Sequence, residues 1–268
     1  MEQVIPTLTA TKKMIARRYY GKGVAPLRRF IPLAVLLALW QLFGSIHSAF
    51  FPRPSLWWDA VLKVEQNGAL WSSLLATAET FIEAIIVATL IGAVLGIAIG
   101  SVKWGDSTFD PVLDFLRNLP AAAVVPAAAI ILGTNSKMAL VIVVFSCIWP
   151  ILLNTRAEIR RVSPFLSNVI TNIGLKGFRK QSVIVGSVLP SVLLGVRVAA
   201  PLALIVTILA EFMTNISGLG SLLVSAQQNF DSPEVYGLLV VAGFLALAVN
   251  ILVSLVEAPI VRRHGPSA

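Results

Sequence analysis

Carboxyl groups in apolar surroundings are the first residues of this chain whose type and placement can do chemistry. Glu79 and Glu83 stand four apart on one helical face, and Glu211 closes another apolar run. An ionisable side chain is expensive in lipid and turns to a cavity or a helix partner. The three are therefore candidates to ring the external mouth of a pathway and shape entry to it. The alternative is that they hydrogen-bond between helices or reach headgroup water. A second group is basic: Arg156, Arg160, Arg161, Lys176, Arg179 and Lys180 crowd the segment from Arg156 to Leu189. Connectors between apolar helices are normally short, so a long basic one reads as a docking element.

Catalysis finds no constellation to stand on. The chain has two histidines and one cysteine, and no acidic cluster on a polar scaffold. The phosphate cradle G-x-x-x-x-G-K-[ST] is also missing from the sequence. The expectation is a chain that is not an enzyme and carries no cofactor or metal. Cys147 sits inside an apolar run and is read as a packing residue.

The elements that must hold these residues follow from composition. The 268 residues are 57% hydrophobic and 13% charged, where about 25% charged is usual for a soluble domain. Such a chain cannot cover a surface facing water, which predicts an all-α polytopic membrane protein. Its net charge of +8 is not a nucleic-acid signature, because basic and aromatic residues do not interleave on any polar segment. Six spans are predicted, at 30–46, 74–101, 119–132, 138–153, 188–213 and 235–258. They form a transmembrane domain over 30–258, preceded by a basic arm at 1–29 and followed by a tail at 259–268. The arm is too long and polar for an ordinary signal peptide, so the first span is expected to stay in the membrane. Lys and Arg concentrate in the arm, the segment at 156–188 and the tail, which puts both termini and that segment in the cytoplasm. On the other side, Trp57, Trp58 and Trp71 beside Pro52 and Pro54 suggest a short helix, Ser55 to Val64, anchored at the headgroups.

Within the basic segment, Val162 to Ile173 and Phe178 to Val188 have apolar residues near helical spacing, separated by Gly174-Leu175-Lys176-Gly177. Two short helices on a glycine turn make a knob for a partner's cleft. Ile170, Ile173, Leu175 and Phe178 would fill the cleft, and Lys176, Arg179 and Lys180 would meet an acidic rim. Resting on anionic lipid is the competing reading. Gly92, Gly96 and Gly100 form a flat face for close helix approach. Pro120, Pro126, Pro190 and Pro201 break or bend helices, and the first three are the predicted hinges.

A family resemblance rests on several of these residues together. Pro120 and Pro126, then Gly133 and Ser136-Lys137, the run Pro150 to Thr155, and Leu189-Pro190 with Gly195 and Arg197 follow one another in order. With Glu211 and Gly218-Leu219-Gly220 behind them, they resemble the permease subunits of binding-protein-dependent ABC importers, in the nitrate, sulfonate, taurine and bicarbonate branch. The resemblance runs from about Phe51 to Arg263. It implies a pore of two permease subunits, identical or paralogous, in a bacterial inner membrane. Cytoplasmic ATPase subunits would carry ATP and Mg, and an extracytoplasmic solute-binding protein would deliver the cargo. Family members open their coupling motif with Glu-Ala-Ala, where this chain has Asn168-Val169-Ile170; Gly174 and Ile184 keep the motif's spacing. The resemblance thus places Asn168 through Arg179 at the ATPase. A stand-alone secondary transporter or channel is the alternative, and it lacks midplane ligands and an internal repeat here.

Overall fold

Backbone in lipid must satisfy its own N–H and C=O groups, and this chain does so with helices. The computed structural model describes residues 31–45, 50–102, 105–172, 174 and 177–264, so the basic arm at 1–29 lies outside it. The helices among these residues are α1 (Ile31–Phe43), α2 (Pro54–Gln66), α3 (Ala69–Ser101), α4 (Gly105–Arg117), α5 (Ala121–Leu132), α6 (Ser136–Asn172), α7 (Gly177–Thr214), α8 (Leu219–Gln228) and α9 (Ser232–His264). The chain divides into two units, residues 1–58 and 59–268.

In the first unit the end of α1 is tied to the chain that returns from it. Trp40 stacks on Phe51 with centroids 4.7 Å apart and meets Trp57 edge-on at 5.0 Å. Its indole N–H donates to the Pro52 carbonyl at 3.1 Å, and the Arg53 Nε–H donates to the Gly44 carbonyl at 2.9 Å. Helix α2 contains the predicted surface helix and runs slightly beyond it at both ends.

The second unit is built on α6. Its buried residues Met138, Ile142, Val143, Cys147 and Ile151 meet α3 on one side and α7 on the other. A smaller apolar cluster joins Val61 and Val64 of α2 to Leu219 and Leu223 of α8 and Leu238 of α9. The glycine stripe sets how closely α3 and α6 approach. A Cβ on Gly92 would lie 3.0 Å from the Ile151 Cβ, one on Gly96 2.7 Å from the Thr155 Cβ, and one on Gly100 3.0 Å from the Ile159 Cβ. Two sets of residues spaced by four thus mesh turn by turn. From the other side, a Cβ on Gly195 of α7 would come within 2.6 Å of the Ile151 Cα. Ile151 is gripped between two helices.

The observed helices correct the predicted spans in two ways. Among the described residues, four helical stretches are long and apolar enough to cross a membrane: Ala69–Ser101, Ser136–Arg161, Val185–Thr214 and Ser232–Glu257. The third predicted span is not a straight helix, because α5 has 12 residues and reaches only about 18 Å of the roughly 30 Å hydrocarbon layer. It is the second arm of a pair, α4 and α5, bent by 89° at the elbow before Ala121. The first predicted span is a helix of 13 residues. The second correction concerns the segment at 156–188, expected as a knob of two separate short helices. It is instead the ends of α6 and α7, which are 37 and 38 residues long, about 55 Å each. The reason is packing: the α3–α6 mesh continues through Gly100 and Ile159, past the point where the apolar run fades at Leu153.

Candidate functional site

Where the end of α6 meets the start of α7, the chain passes through a turn built by glycine. Gly174 and Gly177 have φ of +64° and +60°, the left-handed region that L side chains enter at a cost of about 1–2 kcal/mol each. An added Cβ at either would meet nothing within 4 Å. These glycines therefore serve the backbone path and not side-chain packing. Asn168 and Ile170 lie in the last turns of α6, while Phe178 and Arg179 open α7; the side chains of these four lie outside the described structure. Ile173, Leu175 and Lys176 lie outside the described residues altogether.

Beneath that turn, α6 is fastened to its neighbours by arginines. Arg156 is buried, 7% exposed, and its guanidinium pairs with Asp110 of α4. One turn further, the Arg160 Nη2–H donates to the Val102 carbonyl at the end of α3, at 3.4 Å. Sequence reading assigned both arginines to a loop; the burial of Arg156 and the partners of both arise only where α4 and the end of α3 lie against α6. A second interhelical ion pair joins α7 to α9, with the Arg197 Nη1 3.0 Å from the Glu257 Oε2.

The predicted hinges fall in different surroundings. Pro120 precedes α5 with extended backbone, φ −68° and ψ 124°, and marks the 89° elbow. Pro126 lies inside α5, and Pro190 and Pro201 lie inside α7, which remains one helix through both.

The three carboxyl groups expected to share an outer mouth are divided. Glu79 and Glu83 of α3 line a polar cleft of about 180 Å³ together with Thr80, Ser136, Lys137 and Ser217. The cleft thus sets two carboxyl groups and one ammonium at the starts of α6 and of the α7–α8 turn. Glu211 is 1% exposed and takes the interhelical role. Its Oε2 accepts from the Thr77 hydroxyl at 2.9 Å and from the Gly220 N–H at 3.0 Å, while the Thr77 Oγ1 accepts from the Leu219 N–H at 2.9 Å. The first turn of α8 has N–H groups without helical partners, and this side-chain pair satisfies two of them. Glycine is required at the contact, since a Cβ on Gly218 would fall on the Glu211 carboxyl and one on Gly220 would lie 2.5 Å from the Phe212 nitrogen. Thr77 was the residue that sequence reading missed; a threonine two positions before Glu79 carries no signal of its own.

Among the described residues no group of His, Cys, Asp or Glu is arranged to hold a metal ion. The arrangement offers a bent helix pair, a polar cleft and two long helices whose ends meet at left-handed glycines.

Comparison with known proteins points the same way. Residues 88–264 match the family described as binding-protein-dependent transport system inner membrane component. The bicarbonate transport system permease protein CmpB of Synechocystis sp. is 31% identical, over 83% of this chain and 89% of its own length. The putative aliphatic sulfonates transport permease protein SsuC of Bacillus subtilis is 26% identical, over 94% and 92%. The nitrate import permease protein NrtB of Leptolyngbya laminosa is 26% identical, over 88% and 89%.

Proposed function

The chain belongs to the family of inner-membrane components of binding-protein-dependent transport systems, and from that membership we propose how its parts divide the work of an ATP-driven importer. The chain is a membrane-spanning permease, and family membership favours this over a stand-alone secondary transporter or channel. It is the non-catalytic subunit. ATP and Mg are handled by cytoplasmic ATPase subunits, and the turn between α6 and α7, with Asn168, Ile170, Ile173, Gly174, Leu175, Lys176, Gly177, Phe178 and Arg179, is where an ATPase docks. Two permease subunits, identical or paralogous, enclose the pathway in a bacterial inner membrane, with both termini and the turn in the cytoplasm.

The reading is carried by one observation: the family match at 88–264 spans α6, the left-handed glycine turn and α7 as a single stretch. A turn at the tip of two helices each about 55 Å long is a lever arm. Closure of the ATPases on ATP would draw the tips of paired subunits together, and Arg156 would carry that displacement to Asp110 and the α4–α5 elbow at Pro120. Pro126 and Pro190 give further flexible points along α5 and α7. Hydrolysis would reset the arrangement.

At the outer side, the cleft at Glu79 and Glu83 is where the pathway receives cargo from the extracytoplasmic solute-binding protein, with Glu211 holding the adjoining α7–α8 corner in shape. The relatives are named for bicarbonate, aliphatic sulfonates and nitrate, so a small anion of that kind, or taurine, is the proposed cargo. Two carboxyl groups at the cleft disfavour tight binding of an anion there, which assigns selectivity to the delivery protein. The test is uptake by proteoliposomes holding this chain with its ATPase and binding protein. ATP-dependent accumulation of bicarbonate, nitrate or a sulfonate is expected; accumulation driven by an ion gradient without ATP would overturn the proposal.

A further inference from the structure

We propose that the groove between α3, α7 and α9 is a binding site for one anionic phospholipid, its acyl chain in the groove and its phosphate on Arg197. The groove has a volume of about 370 Å³ and is apolar apart from Glu257 at one end. Phe81, Leu204 and Val249 form its buried floor, while Ile82 and Leu252 are 53% and 61% exposed at its rim. It is a slot open along one side, with a floor that is greasy from end to end.

The polar end explains which lipid fits. Glu257 is buried, 9% exposed, and the Arg197 Nη1 lies 3.0 Å from its Oε2. That contact uses Nη1 of a guanidinium whose side chain is 52% exposed, which leaves further N–H donors for phosphate oxygens. Basic pockets between membrane helices favour anionic headgroups in this way.

Depth agrees with the chemistry. Along α7, Arg197 lies about 26 Å from the Thr214 end, at 1.5 Å per residue, near the far boundary of a hydrocarbon layer roughly 30 Å thick. Leu204 lies about 15 Å from the same end. The groove therefore runs from mid-membrane to the headgroup level on the side of the α6–α7 turn, as a single acyl chain of that leaflet does. A phosphate supplies acceptors for the exposed part of the Arg197 guanidinium. This inference depends on the chain spanning a membrane and not on what it transports.

The intact transporter complex, purified in detergent and stripped of lipid, is titrated with dioleoyl-phosphatidylglycerol or dioleoyl-phosphatidylcholine and read by native mass spectrometry. One phosphatidylglycerol per copy of this chain is expected, held about tenfold more tightly than phosphatidylcholine because of the charge-assisted contacts. Leu252→Trp, which fills the slot, should abolish retention of both lipids. The double variant Arg197→Gln/Glu257→Gln removes both charges together and should leave the two lipids equally and weakly held. Equal binding of the two lipids by the unaltered complex would overturn the proposal, as would binding that neither variant changes. A cysteine at position 252 that cross-links efficiently to α1 or to a second copy of the chain would also overturn it, by showing the groove already covered.

Discussion

Glu211 shows how a carboxyl group in an apolar helix acts through hydrogen bonds and not through exposure. Its Oε2 and the Thr77 hydroxyl together hold the N–H groups of Leu219 and Gly220. Glu211→Ala strands the Gly220 N–H and the Thr77 hydroxyl in a buried site, and the loss should be about 1–3 kcal/mol. Glu211→Gln keeps an acceptor and should cost less, so thermal unfolding of the detergent-purified protein should rank wild type above Gln above Ala. Equal stability of the Ala variant would show that water or lipid replaces the staple. The acidic residue was legible in the sequence because charge inside an apolar run is conspicuous. Its partner was not, since Thr77 is 134 positions away and the contact exists only after α3 and α7 pack.

At the scale of elements, the α3–α6 mesh and the α4–α6 ion pair make separate predictions. Gly96 faces Thr155 with no room for a side chain, so Gly96→Val should destabilise the protein by about 1–3 kcal/mol, as overpacking does. Its spacing with Gly92 and Gly100 was readable because a repeat of four is a property of one helix alone. The elbow was not readable in the same way. Helix α4 is amphipathic, without a continuous apolar run, so Asp110 and Phe115 read as loop and Pro120 as a kink within a span instead of the corner between two helices. The Arg156–Asp110 pair crosses that corner. Arg156→Ala leaves a partly exposed carboxylate and should lower uptake while ATP hydrolysis persists; the swap Arg156→Asp/Asp110→Arg should restore part of the uptake. Failure of the swap, with the protein folded, would remove this pair from the coupling route.

For the whole molecule, the apolar runs of the sequence located the membrane helices but not their ends. Helices α6 and α7 continue well past Leu153 and start well before Val188; on α6, Gly100 against Ile159 and the pairing of Arg156 with Asp110 hold turns that hydropathy assigns to water. The segment expected as a knob of two short helices is the meeting ends of two long ones. Topology follows from the same picture: single cysteines at positions 66 and 174, in a Cys147→Ser background, should react with a membrane-impermeant maleimide from opposite sides of the membrane. Labelling of both from one side would contradict the assigned orientation.

In the proposed importer, the tip of α6 and α7 passes motion from an ATPase to the pathway. ATP hydrolysis and cargo uptake measured side by side in proteoliposomes, for wild type and Gly174→Val/Gly177→Val, test it most directly. Valine in two left-handed positions adds about 1–2 kcal/mol of backbone strain at each in a turn where the new side chain meets no neighbour, so the chain should still insert and fold while the tip changes shape. Continued hydrolysis is expected, with uptake reduced by about tenfold or more, the factor that about 1.4 kcal/mol represents. Uptake at the wild-type rate per ATP hydrolysed would contradict it.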